Sequence, residues 1–431
     1  MVEEIIIIGG GIIGMSIAVG LATHQIPVVL VDQQPDYRKH NDTFIDNRCS
    51  AITAGSAMIF EKIGLWKNMA SMAQPIWQIR VSDQKEHIAS QSRFFVHFNP
   101  AATGANISRP LQPLGYMLAN RDVRRVLFEQ LVHHPLIKYY PGVQLTNILY
   151  KNPTEIQAIL SDGQTISGKL LIAADGRNSK VRNMANISVV RWSYQQHAMI
   201  FNIEHQHPHQ GIAIEHFTPG GPLAVLPMRT DGHNKSAIVW TETPEKAEYL
   251  YQQPHQFLEH ILEQYFYPTL GNIQISGDKK IYPLSGLHAS RYVGDRIILI
   301  GDAAHAIHPI AGQGLNLGIR DCQALIDIIY NIKRLGLDLG TTSMLHDYER
   351  RRRPDNLLLI GATDFLDRLF SNHSRLLRSV RHLGMGLVHR IPSLKRVLMK
   401  QAMGLLIDAP ASSKDASLSR TAKTIDGQET V

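Results

Sequence analysis

The sequence predicts an α/β fold, in which a parallel sheet flanked by helices is interrupted by a mainly antiparallel sheet and followed by C-terminal helices. Three observations predict this fold. Apolar runs rich in β-branched residues each end in a turn that contains glycine or aspartate. Alternating apolar and polar stretches, typical of half-buried strands, lie between the second and third of these turns. From residue 346 onward, the apolar residues recur with helical spacing.

Length and composition limit the class of protein. The chain has 431 residues, of which 44% are hydrophobic and 19% charged, so it can bury a large core and form two domains. Its two cysteines, Cys49 and Cys322, form no pair with the spacing of metal ligands. We therefore expect no disulfide framework and no metal site, which fits a reducing compartment.

The formal net charge of +7 raises the question of an anionic partner. The sequence contains no zinc-ligand pattern, RNA-binding signature or basic-aromatic array, so we expect no nucleic acid partner. It also has no apolar run long enough to span a bilayer. The apolar run at residues 5–8 leads directly into a glycine loop and is unlike a signal peptide. We expect a cytoplasmic protein, soluble or peripheral on the cytoplasmic membrane.

The first strand leads into a G-x-G-x-x-G sequence at Gly9, Gly11 and Gly14. The first strand, the helix and the second strand are predicted at residues 4–8, 15–22 and 28–31. The three glycines allow a tight turn, close approach of a pyrophosphate and close helix packing, respectively. The helix N-terminus favours phosphate, and Asp32 at the end of the second strand can bond a ribose diol. Together these features predict a Rossmann-like dinucleotide site.

A second apolar strand, at residues 170–174, ends in Asp175-Gly176, with Ser179 and Arg182 close behind. A strand followed by an Asp-Gly turn is common on its own. A third strand, at residues 296–300, is therefore more informative.

The third strand delivers Gly301-Asp302 at its carboxyl end and is followed by a glycine-rich loop at residues 309–316 and an apolar helix. Asp302 is placed to bond a polyol such as a ribityl chain. Gly312 and Gly314 expose backbone N–H groups at a helix N-terminus, which would stabilise negative charge on a reduced flavin ring.

These three motifs, in this order, resemble those of the FAD-dependent aromatic monooxygenases with the para-hydroxybenzoate hydroxylase fold. The run at residues 308–318 is similar to the signature of the ubiquinone-biosynthesis hydroxylases within that group. The resemblance covers about residues 3–405. Further stretches that agree with this subfamily lie at residues 46–52, 221–228, 362–364 and 369–370.

The resemblance implies an FAD-binding domain of para-hydroxybenzoate hydroxylase type with an inserted substrate domain. It implies that NAD(P)H, as a transient co-substrate, reduces FAD, and that a flavin C4a-hydroperoxide formed with O₂ hydroxylates a polyprenylphenol on the way to ubiquinone. The stretches at residues 217–218 and 221–228 favour the 2-polyprenyl-6-methoxyphenol hydroxylase type. Another FAD-dependent reductase, or a non-catalytic organising subunit of a quinone-biosynthesis complex, remains the alternative.

The resemblance also implies roles for individual residues. Around the adenosine and pyrophosphate these are Gly9, Gly11, Gly14, Asp32 and Arg48. The start of a helix capped by Asn120 lies near the flavin in relatives, so Arg121 or Arg124 would touch FAD, with a surface position as the alternative. Asp175 and Gly176 belong to a motif linked with both FAD and NAD(P)H, and Asp302 contacts the ribityl chain. The isoalloxazine would be lined by Pro309, Gly312, Gln313, Gly314, Leu315 and Asn316. Candidates for catalysis are His305, His308 and Pro309, with Tyr194 and His216 as weaker candidates for a base.

The domain organisation follows from the same pattern. We expect a discontinuous FAD-binding domain at residues 1–75, 105–183 and 280–345, and a substrate-binding sheet domain at 76–104 and 184–279. A hairpin is predicted around Asp162-Gly163. Residues 346–405 form a helical region, and residues 406–431 form a disordered tail.

Basic residues recur at helical spacing within this C-terminal region, at Arg375, Arg378 and Arg381 and again at Lys395, Arg396 and Lys400. Leucines and valines occupy the other face. The pattern is compatible with an ordinary solvated helix face. It also predicts a basic amphipathic surface for peripheral contact with an anionic membrane, or with a protein complex of ubiquinone biosynthesis.

Overall fold

The computed structural model describes residues 3–36, 48–83, 96–98, 112–229, 234–370, 400 and 403–405. The strands are β1 (Glu3–Ile8), β2 (Val28–Asp32), β3 (Cys49–Thr53), β4 (Gln74–Ile76), β5 (Gln78–Asp83), β6 (Val96–Phe98), β7 (Gly115–Ala119), β8 (Ile137–Pro141), β9 (Leu145–Asn152), β10 (Glu155–Leu160), β11 (Thr165–Ala173), β12 (Val189–His205), β13 (Ile212–Thr218), β14 (Gly221–Met228), β15 (Lys235–Glu242), β16 (Ile273–Ala289), β17 (Val293–Gly294), β18 (Ile297–Leu299) and β19 (His305–Ala306). The helices are α1 (Ile12–Thr23), α2 (Ala54–Lys62), α3 (Trp66–Ala70), α4 (Asn120–His133), α5 (Lys180–Met184), α6 (Pro244–Gln252), α7 (His255–Leu270), α8 (Gly314–Arg334) and α9 (Thr342–Phe370).

The first sheet has the order β17-β18-β11-β1-β2-β8, and β9 and β10 extend it beside β11. Its strands from β18 to β8 run parallel. Parallel strands that are covered by helices on both faces are apolar throughout, which explains the continuous runs seen in β1 and β2. Because these strands are parallel, their carboxyl ends lie together at one edge of the sheet.

Helices α1 and α8 pack closely against each other beside this sheet. A Cβ atom at Gly20 of α1 would lie 2.3 Å from the Cδ1 atom of Ile326 on α8. The absence of a side chain at Gly20 therefore lets the two helices meet. Both helices begin at the edge where the parallel strands end, so their N-termini face the same region.

The second sheet has the order β19-β16-β12-β15-β14-β13-β5-β6 and is antiparallel apart from the β5–β13 pair. One face packs against α6 and α7 through a cluster that includes Phe201, Ile214 and Phe266. The opposite face packs through Ala213 and Leu226 against the small sheet β3-β7-β4. We call this opposite face, defined by Ala213, Glu215, Phe217, Ala224 and Leu226, the inner face.

The structure confirms the α/β fold with its antiparallel sheet and C-terminal helix. The hairpin around Asp162 is also present, because β10 and β11 pair antiparallel. β16 continues in the second sheet as far as Ala289, so we propose a domain boundary after that residue instead of at 280. A boundary at 346 would fall inside α9, which begins at Thr342.

The predicted cap of α4 is wrong. Asn120 is the first residue of the helix and Ala119 is its N-cap, with no side-chain cap. The Asn120 Oδ1 atom instead accepts a hydrogen bond of 2.6 Å from the Ser50 hydroxyl. The proposed basic helix faces at residues 375–396, the stretch at 46–47 and the tail after 405 lie outside the described residues. Within the described part of the chain, no helix is long and apolar enough to cross a membrane.

Candidate functional site

Adjacent parallel strands are joined by hydrogen bonds at their carboxyl ends. The Gly9 N–H donates to Val31 O at 2.8 Å, and Ala174 N–H donates to Ile8 O at 2.8 Å. Ile300 N–H donates to Ala173 O at 3.0 Å. The three sequence motifs that follow these strands therefore meet at one edge of the first sheet, as their spacing predicts.

The glycines of the first loop have distinct environments. Gly9 has a φ of +107°, and a Cβ there would lie 2.4 Å from Ala174 O. A Cβ at Gly14 would lie 1.7 Å from the Gly9 carbonyl oxygen. By contrast, Gly11 is exposed and has no atom within 4 Å of its Cβ position. Backbone atoms therefore fill the space next to Gly9 and Gly14, while the space next to Gly11 is open. This open space lies beside the N-terminus of α1, whose first turn has no acidic residue.

Asp32 lies at the end of β2 and is 4% exposed. Its Oδ1 atom accepts a hydrogen bond from the Gln34 N–H at 3.2 Å, and its Oδ2 atom is buried with no hydrogen-bond partner among the described residues. Burial raises the pKa of this carboxyl, while the charge of Arg124 on α4 opposes that effect. Arg124 therefore belongs to the same site as Asp32, whereas Arg48 and Arg121 are exposed.

The second motif is held against the third by a buried arginine. Arg182 is 0% exposed, and its guanidinium donates to Ala303 O at 2.8 Å and to Arg177 O at 3.1 Å. The Asp175 Oδ2 atom accepts a hydrogen bond from the Val181 N–H at 3.1 Å, which fixes the turn at Gly176. Arg182 was not assigned a role from the sequence, although it was part of the motif.

The loop at residues 309–316 lies over β3. The Asn316 Oδ1 atom accepts a hydrogen bond from Thr53 N–H at 2.9 Å, and its Nδ2 group donates to Ala51 O at 2.7 Å. Gly312 has a φ of +61°, and a Cβ there would lie 3.1 Å from the Cβ of Ala51. Pro309 is exposed. The loop leads into the N-terminus of α8, which has no acidic residue in its first turn.

His305 belongs to a buried ion network beneath the third motif. Its Nε2 atom lies 2.6 Å from Asp321 Oδ2, which also accepts a hydrogen bond from the Gly301 N–H at 3.0 Å. Arg352 of α9 donates from Nε to Asp321 Oδ1 at 2.7 Å. Burial alone would raise the pKa of Asp321, but the interactions with His305 and Arg352 hold it well below its usual range.

The ring of His308 is 0% exposed, and both of its nitrogens have protein partners. Nδ1 accepts a hydrogen bond from Ile310 N–H at 3.2 Å, so Nε2 carries the hydrogen and donates to Gln196 Oε1 at 3.0 Å. Burial lowers the pKa of His308 to about 4, so the ring is neutral at pH 7. Tyr194 lies edge-on to it, with ring centroids 4.6 Å apart.

Gln196 could not have been selected from the sequence. It lies at a β-bulge in β12, where the pairing with β16 shifts between Ser193 and His197 and Gln195 has a φ of +52°. Bulges re-aim side chains and are common next to active sites. The Gln196 amide also donates to Gly220 O at 2.9 Å, which links the 309–316 loop to the turn between β13 and β14.

The remaining base candidate, His216, lies on the far side of the second sheet. Its Nδ1 atom is 2.9 Å from the Ser82 hydroxyl, and its ring packs against Tyr265 and Phe266 of α7. The inner face is therefore presented by its sequence neighbours Glu215 and Phe217. Residue type alone makes His216 a candidate base. The sequence does not reveal which face of the sheet meets the site, so it could not show that His216 lies on the other face.

The residues at this edge fit a bound FAD. The buried Asp32 Oδ2 atom lacks a hydrogen-bond donor among the described residues, and a ribose hydroxyl would supply one. The open space in front of Gly11, at a helix N-terminus, suits a pyrophosphate. Asp302 is exposed at the same edge, where it is available to a ribityl chain.

Comparisons with known proteins agree with this geometry. The FAD binding domain family matches residues 3–357. The chain is 38% identical to the ubiquinone hydroxylase UbiL of Rhodospirillum rubrum, covering 94% of this chain and 90% of that protein. It is 33% identical to the 3-demethoxyubiquinol 3-hydroxylase of Escherichia coli, covering 93% and 98%, respectively. The solved structure of p-nitrophenol 4-monooxygenase PnpA from Pseudomonas putida superposes with a TM-score of 0.76 at 18% identity, covering 93% of this chain and 98% of that one. This superposition shows that the two proteins have the same fold.

Proposed function

The chain belongs to the FAD-binding domain family and is an FAD-dependent monooxygenase, and we propose that it hydroxylates the aromatic ring of a polyprenylated phenol in ubiquinone biosynthesis. The observation that carries this proposal is the meeting of three motif-bearing strand ends at one edge, near the inner face of the second sheet. The activities for which the Rhodospirillum rubrum and Escherichia coli relatives are named support the pathway.

We propose that the residues predicted to contact FAD do so in this arrangement. The glycine loop and the N-terminus of α1 hold the pyrophosphate, Asp32 holds the adenosine ribose, and Asp302 bonds the ribityl chain. The arginines Arg48, Arg121 and Arg124 neutralise phosphate charge. Asp175 and Gly176 shape the neighbouring turn, and the isoalloxazine is lined by Pro309, Gly312, Gln313, Gly314, Leu315 and Asn316.

Bound FAD supplies electron transfer from NAD(P)H and the activation of O₂. The chain orients the phenol ring on the inner face and excludes water from the reacting atoms. We propose that His305 and His308 position the loop at residues 309–316, which we call the flavin loop. The contacts of His305 are with the ion network, and both nitrogens of His308 are engaged by Ile310 and Gln196. We propose this positioning role for both histidines in place of the general-base role that their residue type suggests.

The proposed reaction is tested by isotopic labelling. We expect the purified protein, with FAD and NAD(P)H, to convert a short-chain 2-prenyl-6-methoxyphenol into a product that contains one more oxygen atom. Under labelled O₂, mass spectrometry should find the label in the product. Oxidation of NAD(P)H with no oxygen incorporated would favour a reductase and contradict the proposal.

The methoxyphenol is our proposed substrate type because residues 217–218 and 221–228 resemble the enzymes that act on it. A demethoxyubiquinol is the second candidate, since the Escherichia coli relative is named for that substrate. When both short-chain compounds compete in one reaction, we expect the methoxyphenol to be consumed about tenfold faster or more. A reversed ratio would assign the chain to the second candidate.

We also propose that the C-terminal part of the chain contacts the membrane that holds the lipid-tailed substrate. On α9, Leu358 and Phe365 are 63% and 62% exposed, and their spacing of seven residues places them on one helix face. Exposed apolar side chains on one stripe, next to a sequence with a basic pattern, suit an anionic bilayer surface.

Flotation with anionic phosphatidylglycerol vesicles tests this contact. We expect the full chain to float with the vesicles and the double variant L358E/F365E to float several-fold less. The control is L149E, which changes an apolar side chain of β9 that is 45% exposed and far from α9 in the sequence. Equal flotation of all three proteins would contradict contact through this face of α9, and no flotation by the unmodified chain would contradict membrane contact and favour a protein partner.

A further inference from the structure

Glu215 on β13 lies on the inner face of the second sheet. Its neighbour His216 packs on α7, and successive side chains of a strand point to opposite faces. Glu215 pairs in register with Ala224 of β14 and Val81 of β5, which offer it neither a charge nor a hydrogen-bonding side chain. The carboxylate has no recorded hydrogen bond or ion pair among the residues that the structure describes.

Two contacts bring the flavin loop across this part of the inner face. At one end, Ala213 and Leu226 pack with Ala51, whose Cβ lies 3.1 Å from the Cβ position of Gly312. At the other end, the Gly220 carbonyl is tied through Gln196 to His308. Glu215 lies between these two contacts along the chain, two residues from Ala213 and five from Gly220.

The Glu215 side chain is half-buried on this face. Burial raises its pKa to about 7. A carboxyl with this pKa is poised to exchange a proton near neutral pH. Among the residues that the structure describes, no neighbouring charge contributes to this rise in pKa. The titratable groups nearest along this face are Asp83, opposite Phe217, and Cys49 of β3, with His308 on the loop.

From this geometry we propose that Glu215 is the base that accepts the proton of the substrate's phenolic hydroxyl. The phenol O–H bond breaks, its electron pair stays on the ring oxygen, and the proton forms an O–H bond with the Glu215 carboxylate. The electron-rich ring then accepts the oxygen atom supplied by O₂ through FAD and NAD(P)H. Glu215 afterwards returns the proton to the ring oxygen of the product. This inference rests on the proposed function and adds the residue that prepares its substrate.

The test compares E215Q with E204Q in the FAD-loaded protein, using the short-chain 2-prenyl-6-methoxyphenol as the probe. Gln keeps the shape of Glu215 and removes its basicity. Glu204 lies on β12 of the same sheet and pairs with Lys235 at 2.7 Å near the surface, so it is a matched control. FAD content and thermal unfolding first establish that both variants are folded.

In turnover, we expect the hydroxylation rate of the unmodified chain and of E204Q to rise with pH around a midpoint near 7. E215Q should be about a hundredfold slower at pH 7, and its rate should climb toward the pKa of the free phenol, about 10. Oxygen consumption without product should persist in E215Q. A rate and pH profile in E215Q equal to those of the unmodified chain would overturn the inference.

A binding measurement needs no turnover and separates the two proposals. With oxidised, FAD-loaded protein at pH 8, where the Glu215 carboxylate is ionised, the probe is compared with its methyl ether, which lacks the phenolic hydrogen. Methylation should weaken binding about tenfold more in the unmodified chain and in E204Q than in E215Q, because a hydrogen bond to a charged acceptor is lost. An equal effect of methylation in all three proteins would overturn the role of Glu215. If the unmodified chain shows this dependence but incorporates no oxygen, the proposed function fails while the contact of Glu215 with the phenol stands.

Discussion

Replacing Gly14 with alanine should abolish FAD binding and destabilise the fold. The new Cβ would lie 1.7 Å from the Gly9 carbonyl oxygen and 2.9 Å from its carbon, and both are backbone atoms. Since no side chain can move aside, the loop or α1 must shift. We expect a loss of about 3 kcal/mol in unfolding free energy, at the upper end for overpacking. A strain of that size at the phosphate site corresponds to at least about a hundredfold weaker FAD binding.

G11A provides the matched comparison in the same loop. No protein atom lies within 4 Å of the Cβ position at Gly11, and its φ of −70° suits any residue. The apoprotein should therefore unfold at the same denaturant concentration as the unmodified chain, while FAD binding weakens because the methyl group occupies the phosphate space. Urea unfolding and FAD titration measure the two effects separately. Normal FAD affinity in G14A would contradict the geometry of the loop.

Replacing Asp321 with asparagine should cost about 3–5 kcal/mol of stability, as expected when a buried ion pair loses one partner. Asp321 is 0% exposed and accepts hydrogen bonds from Arg352, His305 and the Gly301 N–H. The neutral amide leaves Asp355, which Arg320 also contacts, as the only carboxylate among the described residues that pairs with the buried Arg352. It also releases the Gly301 N–H next to Asp302, so FAD affinity should fall with stability.

The direction in which pH changes this loss of stability follows from the pKa of Asp321. The pKa of Asp321 is lowered in the folded protein, so its stabilisation is complete above the unfolded value of about 3.9 and is lost as the pH falls through the folded value. The stability gap between the unmodified chain and D321N should narrow as the pH falls below about 4. D347N serves as control, because Asp347 pairs with Arg350 on the surface of α9. Surface ion pairs contribute about 0–1 kcal/mol to stability. A loss of stability in D347N equal to that in D321N would show that the buried ion pair of Asp321 contributes no more than a surface pair.

The three motifs could be placed from the sequence because each belongs to a strand end with a local signature. Gly9, Asp32 and Asp302 follow apolar runs, and parallel strands bring such ends together without further information. The cap of α4 was missed for the opposite reason. The hydroxyl that Asn120 binds belongs to Ser50, which lies 70 positions away and could not be paired with it by local pattern.

Local sequence patterns also could not predict the buried ion network around Asp321, or which face of the second sheet is the inner face. Asp321 lies in the middle of an apolar helix, and its partner Arg352 is 31 positions away in a charge run that reads as a solvated helix face. Histidines in the flavin loop were favoured as bases by residue type, whereas Glu215 had no distinguishing neighbours. Alternation along β13 predicts two faces, but only the packing of α7 on one of them identifies the other as the face toward the loop.

The central claim is that the ends of β1, β2, β11 and β18 form the cradle of a single flavin. The most direct measurement is the flavin absorbance of the purified chain, before and after incubation with FAD and gel filtration, relative to protein concentration. We predict saturation at about one FAD per chain, with binding lost in G14A. A folded chain that shows no flavin absorbance and retains none after loading would contradict the claim.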